Sequence, residues 1–440
     1  MSMLAINGGK PVRTRLFPAY KTIGSEEKQA VNRVLDSGVL SKYLGAWHEN
    51  FYGGPEVRAF EEEWAAFFGV KQAVAVNSNT SGLIAALGAM GLEPGDEVIV
   101  TPYSMCISAT APLWWGGIPV FADIEEEYFC LDPDSVEEKI TGKTKAILVV
   151  DLFGQPYDVP AINAIAKRHN LIVIEDAAQA PYAKYQSKFA GTFGDIGVYS
   201  LNYHKHIHTG EGGMVVTNNA DLAERVRLIR NHAEAVVGDK GVSDLTNMVG
   251  QNYRLTELQA AIGREQLKKL PKLVEARVRN AEYLAGKLNE ILGIRVAGKR
   301  PGATHVFYLQ AALFDESAVG VSRDAFIRAV RAELPATELR ETEGTLLSSG
   351  YVTPLHLLPL FQKRLAFGKN GYPFSLAKDR TISYAKGSCP VTERMQEKEL
   401  LKNDLFRPPA TESDLDDVVR AFEKVYEHRA EIPPAVTPVC

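Results

Sequence analysis

A single lysine, Lys205, lies at the centre of the segment SLNYHKHIHTGEGG, which runs from residue 200 to residue 213. Upstream, the apolar run LIVIEDAAQA contains two adjacent carboxylates, Glu175 and Asp176. A lysine in a turn rich in serine and glycine, about thirty residues after an aspartate that ends a strand, suggests one chemistry. The lysine amine forms a Schiff base with an aldehyde cofactor, and the aspartate pairs with the protonated ring nitrogen of that cofactor. These residue types therefore predict a pyridoxal phosphate enzyme.

Each of these residues also has a plain structural alternative. An isolated lysine in a loop is usually a solvated charge, and an aspartate after a strand often caps a helix or a turn. Ser200, however, precedes Lys205 by five residues at the end of an apolar run, and GEGG begins five residues after it. Asp176 lies where α/β sheets bind ligands, at the carboxyl end of a buried strand. Gln179 could face the phenolic oxygen of the cofactor ring, or it could simply be solvated.

A phosphate site is predicted in the segment AVNSNTSGLIAALGAM, where a strand, small polar residues, a glycine and a helix follow in order. Backbone N–H groups at a helix N-terminus bind anions, and the hydroxyls of Thr80 and Ser81 lie beside them. Ser200 is a second predicted phosphate ligand. The alternative for Thr80 and Ser81 is a simple N-cap.

Two other site chemistries are disfavoured. His204, His206 and His208 alternate, so they would share one face of an extended segment, as metal ligands do. No carboxylate or thiolate in the neighbouring sequence completes such a site, and we predict no bound metal. The glycines of GEGG lack the GxGxxG spacing and precede a strand rather than a helix, which argues against a nicotinamide dehydrogenase.

The composition is that of a soluble globular protein, with 45% hydrophobic and 23% charged residues in a chain of 440. A net charge of -5 gives no electrostatic reason to expect nucleic acid or an anionic membrane as a partner. No window approaches the ~18 consecutive apolar residues of a membrane helix, and the N-terminus lacks the pattern of a signal peptide. The four cysteines have no metal-binding spacing, so we expect reduced thiols and a cytoplasmic location.

Short β-branched runs alternate with helical patterns between about residues 70 and 220, which predicts an α/β domain with a mostly parallel central sheet. A long charged amphipathic stretch follows, in which Pro271 is expected to kink or divide a helix. The later segments predict a smaller α+β domain. The predicted organisation is an N-terminal arm over 1–22, a large cofactor-binding domain over 23–268, a small C-terminal domain over 269–430 and a flexible tail over 431–440.

Together these segments resemble the DegT/DnrJ/StrS-type sugar aminotransferases, a family of fold-type I pyridoxal phosphate enzymes. The similarity runs from about Ile23 to the end of the small domain. Besides the lysine segment, it rests on GGPEVRAFEEEWAAFFGV, SNTSGLIAAL, GDEVIVTPYSMCISATA, DLFGQP, IEDAAQA, IRNHAE, GQNYRLTELQAAIG and TPLHLLPLF.

The resemblance implies a role for each matching residue. Lys205 would be the Schiff-base lysine and Asp176 the partner of the pyridinium nitrogen. Asn252, in a G-x-N-x-R motif, would reach the phosphate across a subunit interface, which implies a homodimer with shared active sites. The remaining expected contacts are Gln179 with the phenolic oxygen, Thr80, Ser81 and Ser200 with the phosphate, and His356 and Tyr203 with the substrate.

Two positions depart from the family pattern. Met105 stands where a ring-stacking residue is commonly aromatic, although a thioether also packs on a ring face. Asn79 replaces the glycine of the usual SGT. Some relatives carry histidine in place of the lysine and act as dehydratases. Counting five residues from Ser200 and five back from Gly210 gives Lys205 both times, which favours transamination.

The resemblance implies an aminotransferase that moves an amino group from glutamate or glutamine to an acceptor ketone. The acceptor would be a nucleotide-linked keto sugar or a ketocyclitol. The pathway would be amino sugar, polysaccharide or secondary-metabolite biosynthesis, and the cofactor would pass through its pyridoxamine phosphate form. One alternative is a cofactor-dependent sugar dehydratase on the same scaffold. The other is a non-catalytic binding relative, against which the complete set of Lys205, Asp176 and Ser200 argues.

Overall fold

The structure is a computed structural model that describes residues 3–378 and 381–434. Residues 435–440 of the predicted flexible tail lie outside the described residues. Hydrogen bonding groups the strands into a seven-stranded sheet, a four-stranded sheet and a two-stranded hairpin. In chain order the strands are β1 (Gln72–Val76), β2 (Glu97–Val100), β3 (Ile118–Phe121), β4 (Thr144–Val150), β5 (Ile172–Asp176), β6 (Lys184–Tyr185), β7 (Lys188–Phe189), β8 (Ile196–Ser200), β9 (Gly213–Thr217), β10 (Ile294–Val296), β11 (Gln310–Phe314), β12 (Leu347–Ser349) and β13 (Leu400–Asn403).

The longest helix has 32 residues and passes through Pro271 without a break. Of the two expectations for Pro271, a kink or a division of the helix, division is therefore wrong. Buried side chains on both sides of the proline, Leu267 and Val274, belong to one core cluster with residues of the large domain. In chain order the helices are α1 (Ser25–Ser37), α2 (Pro55–Phe68), α3 (Asn79–Ala89), α4 (Ile107–Thr110), α5 (Pro133–Glu138), α6 (Val159–His169), α7 (Ala220–Arg230), α8 (Glu257–Leu288), α9 (Glu316–Val319), α10 (Arg323–Glu333), α11 (Pro359–Gln362), α12 (Pro390–Arg394) and α13 (Glu412–Glu427).

The central sheet has the strand order β1-β9-β8-β5-β4-β2-β3. Every neighbouring pair from β8 to β3 is parallel, whereas β9 is antiparallel to both β1 and β8. All residues of β2, β3, β8 and β9 are buried, as expected for strands covered on both faces. The predicted α/β fold with a mostly parallel sheet is confirmed. The second sheet, β10-β11-β13-β12, is antiparallel throughout.

Three chain segments end at the same edge of the central sheet. β5 and β8 are parallel neighbours, with Asp176 opposite Val198, so their carboxyl ends lie together. β1 points the same way as β8, because both are antiparallel to β9. Helix α3 follows β1 and packs closely on β8, because a Cβ on Gly82 would lie 2.6 Å from the Val198 Cγ1 atom. The N-terminus of α3 therefore lies beside the ends of β5 and β8.

The small domain is less separate from the rest of the chain than the sequence predicts. Leu4 and Phe17 of the N-terminal arm are buried in the small-domain core. Between β12 and β13 the chain returns to the large domain, where Phe361 and Tyr384 join the larger core. The structure therefore departs from a contiguous small domain over 269–430. Within the described ranges, no helix combines the length and the hydropathy needed to cross a bilayer.

Candidate active site

A cavity of about 330 Å³ opens where β5, β8 and the N-terminus of α3 meet. Tyr308 of the small domain also lines this cavity. The structure brings most of the predicted site residues to this one cavity. Those that line it are Thr80, Met105, Asp176, Gln179, Ser200, Tyr203 and Lys205.

Lys205 lies in the turn after β8 and is held between the two domains. Its backbone N–H donates to the Asn202 carbonyl oxygen at 2.9 Å, and its residue is only 8% exposed. Its amine, Nζ, lies 4.3 Å from the centre of the Tyr308 ring, within the range of a cation–π contact. Tyr20 of the N-terminal arm donates its hydroxyl to the His206 carbonyl oxygen at 2.6 Å and so braces the same turn. The amine is thereby kept at the cavity rather than in bulk solvent.

Gly213, the last glycine of the GEGG segment, is required by the close approach of two backbones. A Cβ on Gly213, the first residue of β9, would lie 2.6 Å from the Ser78 carbonyl carbon and 2.7 Å from the Asn79 nitrogen. Only glycine therefore lets the turn before α3 lie against β9 without displacement. The GEGG segment thus positions the helix N-terminus as well as the lysine.

Asp176 ends β5 and is 3% exposed. Its Oδ2 accepts the Ser108 hydroxyl at 2.9 Å, and its Oδ1 accepts the Asn79 amide at 3.1 Å and the Ala178 backbone N–H at 3.2 Å. Burial raises the pKa of the Asp176 carboxyl, and these hydrogen bonds together with the charge of Lys205 oppose that rise. The carboxylate is therefore desolvated but well supplied with donors.

Glu175, next to Asp176, serves a structural role on the other face of β5. Its carboxylate accepts the backbone N–H groups of Gly191 at 2.5 Å, Phe193 at 2.9 Å and Gly194 at 3.2 Å. Successive side chains of a strand point to opposite faces. Of the two adjacent carboxylates, only Asp176 lines the cavity.

The phosphate turn differs in one residue from the sequence-based expectation. Ser81 donates its hydroxyl to Asn77 Oδ1 at 2.7 Å, and its backbone N–H donates to Ser78 Oγ at 3.0 Å. This capping geometry uses the Ser81 side chain, which does not line the cavity. Ser78 and Thr80 line the cavity instead, so a direct phosphate contact by Ser81 is not supported. Ser81 is the third residue of a capping box whose N-cap residue is Ser78. Ser200, which is 7% exposed, lines the same cavity as Ser78 and Thr80.

Gln179 is held by two partners at the floor of the cavity. Its Oε1 accepts the Phe153 backbone N–H at 2.8 Å, and its Nε2 donates to the Tyr351 hydroxyl oxygen at 3.0 Å. An amide nitrogen carries two hydrogens, so the second remains for a phenolic oxygen of a ligand.

The mouth of the cavity is formed by partly exposed side chains. Met105 and Tyr203 are 54% and 55% exposed. The Tyr203 ring packs on the His204 ring with centroids 3.7 Å apart. Burial and the positive charges of Arg340 and Arg407 lower the pKa of His204 to about 4, so this imidazole is neutral near pH 7.

Two predicted residues are not brought to the cavity. His356 is fully buried, and its Nε2 lies 2.8 Å from Glu393 Oε1, so the predicted substrate contact is not supported by this geometry. Asn252 is exposed, and its Oδ1 accepts the Arg254 Nε–H at 2.8 Å. It does not line the cavity of its own chain.

The three alternating histidines do not share a face, because the segment is a turn rather than a strand. His204 lines the cavity, whereas His206 is buried with Nε2 2.9 Å from the Val306 carbonyl oxygen. His208 Nδ1 accepts the Gly210 backbone N–H at 3.3 Å. Across residues 3–378 and 381–434, no group of three or more His, Cys, Asp or Glu residues is arranged to hold a metal ion.

Three residues of the site escape sequence reasoning. Ser78 carries a signal, because its position three residues before Ser81 is that of a helix N-cap. Ser108 is 68 residues from Asp176 along the chain, and Tyr308 comes from the other domain. Nothing local in the sequence marks either of these two as a neighbour of the predicted set.

The residues present fit pyridoxal phosphate. A buried amine and a buried carboxylate, Lys205 and Asp176, line one cavity and match the aldehyde and the pyridine nitrogen. The N-terminus of α3, with Ser78 and Thr80, offers N–H groups and hydroxyls to a phosphate. Together with the sheet order, this set defines the class of fold-type I pyridoxal phosphate enzymes.

Comparison with known proteins gives the family. A sequence model of the DegT/DnrJ/EryC1/StrS aminotransferase family matches residues 21–402. The chain belongs to this family, and it is a pyridoxal phosphate-dependent aminotransferase.

Individual relatives agree with this assignment. The chain is 34% identical over 444 residues to the L-glutamine:2-deoxy-scyllo-inosose aminotransferase of Streptoalloteichus tenebrarius, covering 98% of this chain and 99% of the relative. It is 41% identical over 271 residues to the GDP-perosamine synthase of Caulobacter vibrioides, covering 61% of this chain and 71% of the relative. The structure of DesI in the presence of its TDP-sugar product superposes with a TM-score of 0.80 at 26% identity, covering 97% of each chain.

The contact at Gly213 gives a testable prediction. We expect Gly213→Ala to push the Ser78–Asn79 backbone away from β9, and so to lower the free energy of unfolding by about 1–3 kcal/mol and to weaken pyridoxal phosphate binding. Chemical denaturation and fluorescence titration of the cofactor-free protein measure the two effects. Gly142→Ala is the matched control, since a Cβ there meets nothing within 4 Å. Equal behaviour of the two variants would contradict the proposed role of Gly213.

Proposed function

We propose that the chain transfers the amino group of glutamine or glutamate to a polyhydroxylated cyclic ketone, either a ketocyclitol or a nucleotide-linked keto sugar. The observation that carries the proposal is the placement of Lys205 and Asp176 at one cavity of an aminotransferase fold. The full-length relative named as an L-glutamine:2-deoxy-scyllo-inosose aminotransferase supports glutamine and a ketocyclitol. The relative named as GDP-perosamine synthase and the structure with a TDP-sugar product support a nucleotide-linked sugar.

The proposed roles of the residues follow from their chemistry. When bound, pyridoxal phosphate supplies an electron-accepting ring and the carbon that carries the amino group from donor to acceptor. Lys205 would hold the cofactor and then move a proton from and to the α-carbon of the donor through its Nζ. Asp176 would keep the ring nitrogen protonated. Its desolvated carboxylate is suited to this, because a charge pair is stronger where water is excluded.

The remaining site residues would bind and orient. Ser200 and Thr80 would hold the phosphate with the N-terminus of α3, and the free hydrogen of Gln179 Nε2 would meet the phenolic oxygen. Met105 would pack on the ring face from the mouth of the cavity, and Tyr203 beside it would contact the substrate.

We further propose a homodimer in which Asn252 completes the phosphate site of the partner subunit. The support is its position, since the side chain is exposed and does not line the cavity of its own chain.

We also propose a cytoplasmic location. The three described cysteines, Cys106, Cys130 and Cys389, form no disulfide, which suits a reducing compartment.

Amine transfer is the direct test of the proposed reaction. We expect the cofactor-loaded protein to move ¹⁵N from the α-amino group of labelled glutamine or glutamate to one member of a panel of ketocyclitols and nucleotide-linked keto sugars. Mass spectrometry of the products measures the label. Lys205→Ala should lower turnover by roughly 10³-fold or more, because the proton-transferring amine is lost. Lys188→Ala, a change at an exposed lysine on the β6–β7 hairpin, should leave turnover unchanged.

The same assay separates the alternatives. A product that has lost water and gained no nitrogen would identify a dehydratase on this scaffold. Failure of both donors to convert the bound cofactor to its amine form would favour a non-catalytic relative. Either result would contradict the proposed transfer.

Subunit mixing tests the shared site. Lys205→Ala and Asn252→Ala dimers should each be weakly active, since each lacks one part of every site. In random mixtures half of the dimers are mixed, and each holds one site with both residues intact, so about one quarter of the wild-type activity should return. No recovery on mixing, with both variants confirmed as dimers by light scattering, would show that Asn252 does not act across an interface.

A further inference from the structure

The residue that departs from the usual phosphate-turn sequence, Asn79, contacts the other end of the cavity. Its side-chain Nδ2 donates to Asp176 Oδ1 at 3.1 Å and lies 3.4 Å from the Val198 carbonyl oxygen. Asn79 is the first residue of α3, and its backbone is helical, so an ordinary L residue fits there without strain. The side chain is buried and is directed at β5 and β8 rather than at solvent.

The donors around Asp176 are distributed unevenly between its two oxygens. Oδ1 accepts two N–H groups, from Asn79 and from Ala178, whereas Oδ2 accepts the Ser108 hydroxyl. Each carboxylate oxygen has two lone-pair sites, so Oδ2 keeps one acceptor position for a further donor. The donors come from three separate segments, and together they fix the plane of the carboxylate. One acceptor position on Oδ2 remains for the ring N–H of the cofactor.

The donors supplied by Asn79 and Ser108 are uncharged. The charge of Lys205 also favours the ionised form of Asp176, but that charge changes when the lysine amine reacts. The amide and hydroxyl donors stay the same throughout a reaction cycle. A carboxylate buried in a site of low polarity needs such permanent donors to remain ionised.

We propose that Asn79 and Ser108 are positioning residues that hold the Asp176 carboxylate ionised and oriented toward the pyridine nitrogen of the cofactor. This inference rests on the role proposed above for Asp176. In this chain the turn that carries the phosphate contacts thereby also supports the opposite, ring-nitrogen end of the cofactor. Asn79 links the two ends through a single side chain.

The test compares two ligands that differ only at the ring nitrogen. Pyridoxal phosphate carries that nitrogen, and 1-deazapyridoxal phosphate has a C–H group in its place. The cofactor-free protein is titrated with each ligand, and the ratio of the two dissociation constants is measured by fluorescence. We expect Asn79→Ala and Ser108→Ala each to lower the preference for pyridoxal phosphate roughly tenfold, because each removes a hydrogen bond to a charged group.

Asp176→Ala separates failure of the role proposed for Asp176 from failure of the roles proposed for Asn79 and Ser108. Asp176→Ala should abolish the preference; if it does not, the proposed role of Asp176 fails. If Asp176→Ala abolishes the preference but neither Asn79→Ala nor Ser108→Ala changes it, only the present inference fails. Equal weakening of both ligands by Asn79→Ala would mean that Asn79 acts on the phosphate turn alone, which also overturns the inference.

The control is an asparagine of the same domain that does not touch Asp176. Asn163 donates its amide to the Phe193 carbonyl oxygen at 3.1 Å, and Asn163→Ala should leave the ligand preference unchanged. Asn79→Gln keeps an amide and should retain more of the preference than Asn79→Ala. The pH at which the absorption spectrum of the bound cofactor changes should also be lower in wild type than in Asn79→Ala.

Discussion

The buried carboxylate of Asp176 determines which chain segments must meet at the cavity. A charged group at 3% exposure is unfavourable unless donors and a countercharge surround it. The fold supplies them from three segments, through Asn79, Ser108 and Ala178. The parallel pairing of β5 with β8 makes this possible, because it brings the end of β5 beside the turn that carries Lys205. The order of the strands in the sheet therefore determines which residues meet at the site.

The position of the lysine depends equally on elements far from it in sequence. The arm residue Tyr20 holds the lysine turn from one side, and Tyr308 of the small domain lies under the amine. The continuous helix α8, which contains Pro271, carries the chain out of the large domain. The return of the chain to the large domain between β12 and β13 adds a second connection, through Phe361 and Tyr384. The cavity is consequently built from both domains.

The sequence predicts the parts of this arrangement that are local. Buried strands, the strand-end aspartate, the glycine-braced lysine and the family follow from short patterns, and the α/β fold is confirmed. The contact of Ser108 with Asp176 depends on packing between segments 68 residues apart, which no short pattern reports. The predicted substrate contact of His356 is not supported by this geometry, because a matching motif does not reveal that its ring is buried against Glu393. The predicted phosphate contact of Ser81 is likewise not supported, because its hydroxyl donates to Asn77 Oδ1 at the start of the helix.

We propose that Lys205 binds the cofactor and faces Asp176 across one cavity. Borohydride reduction fixes pyridoxal phosphate to the lysine that holds it, and peptide mass spectrometry then identifies that lysine. We expect one major adduct, on the peptide that contains Lys205, and none in Lys205→Ala. An adduct on another lysine of the wild-type protein, with Lys205 unmodified, would contradict it.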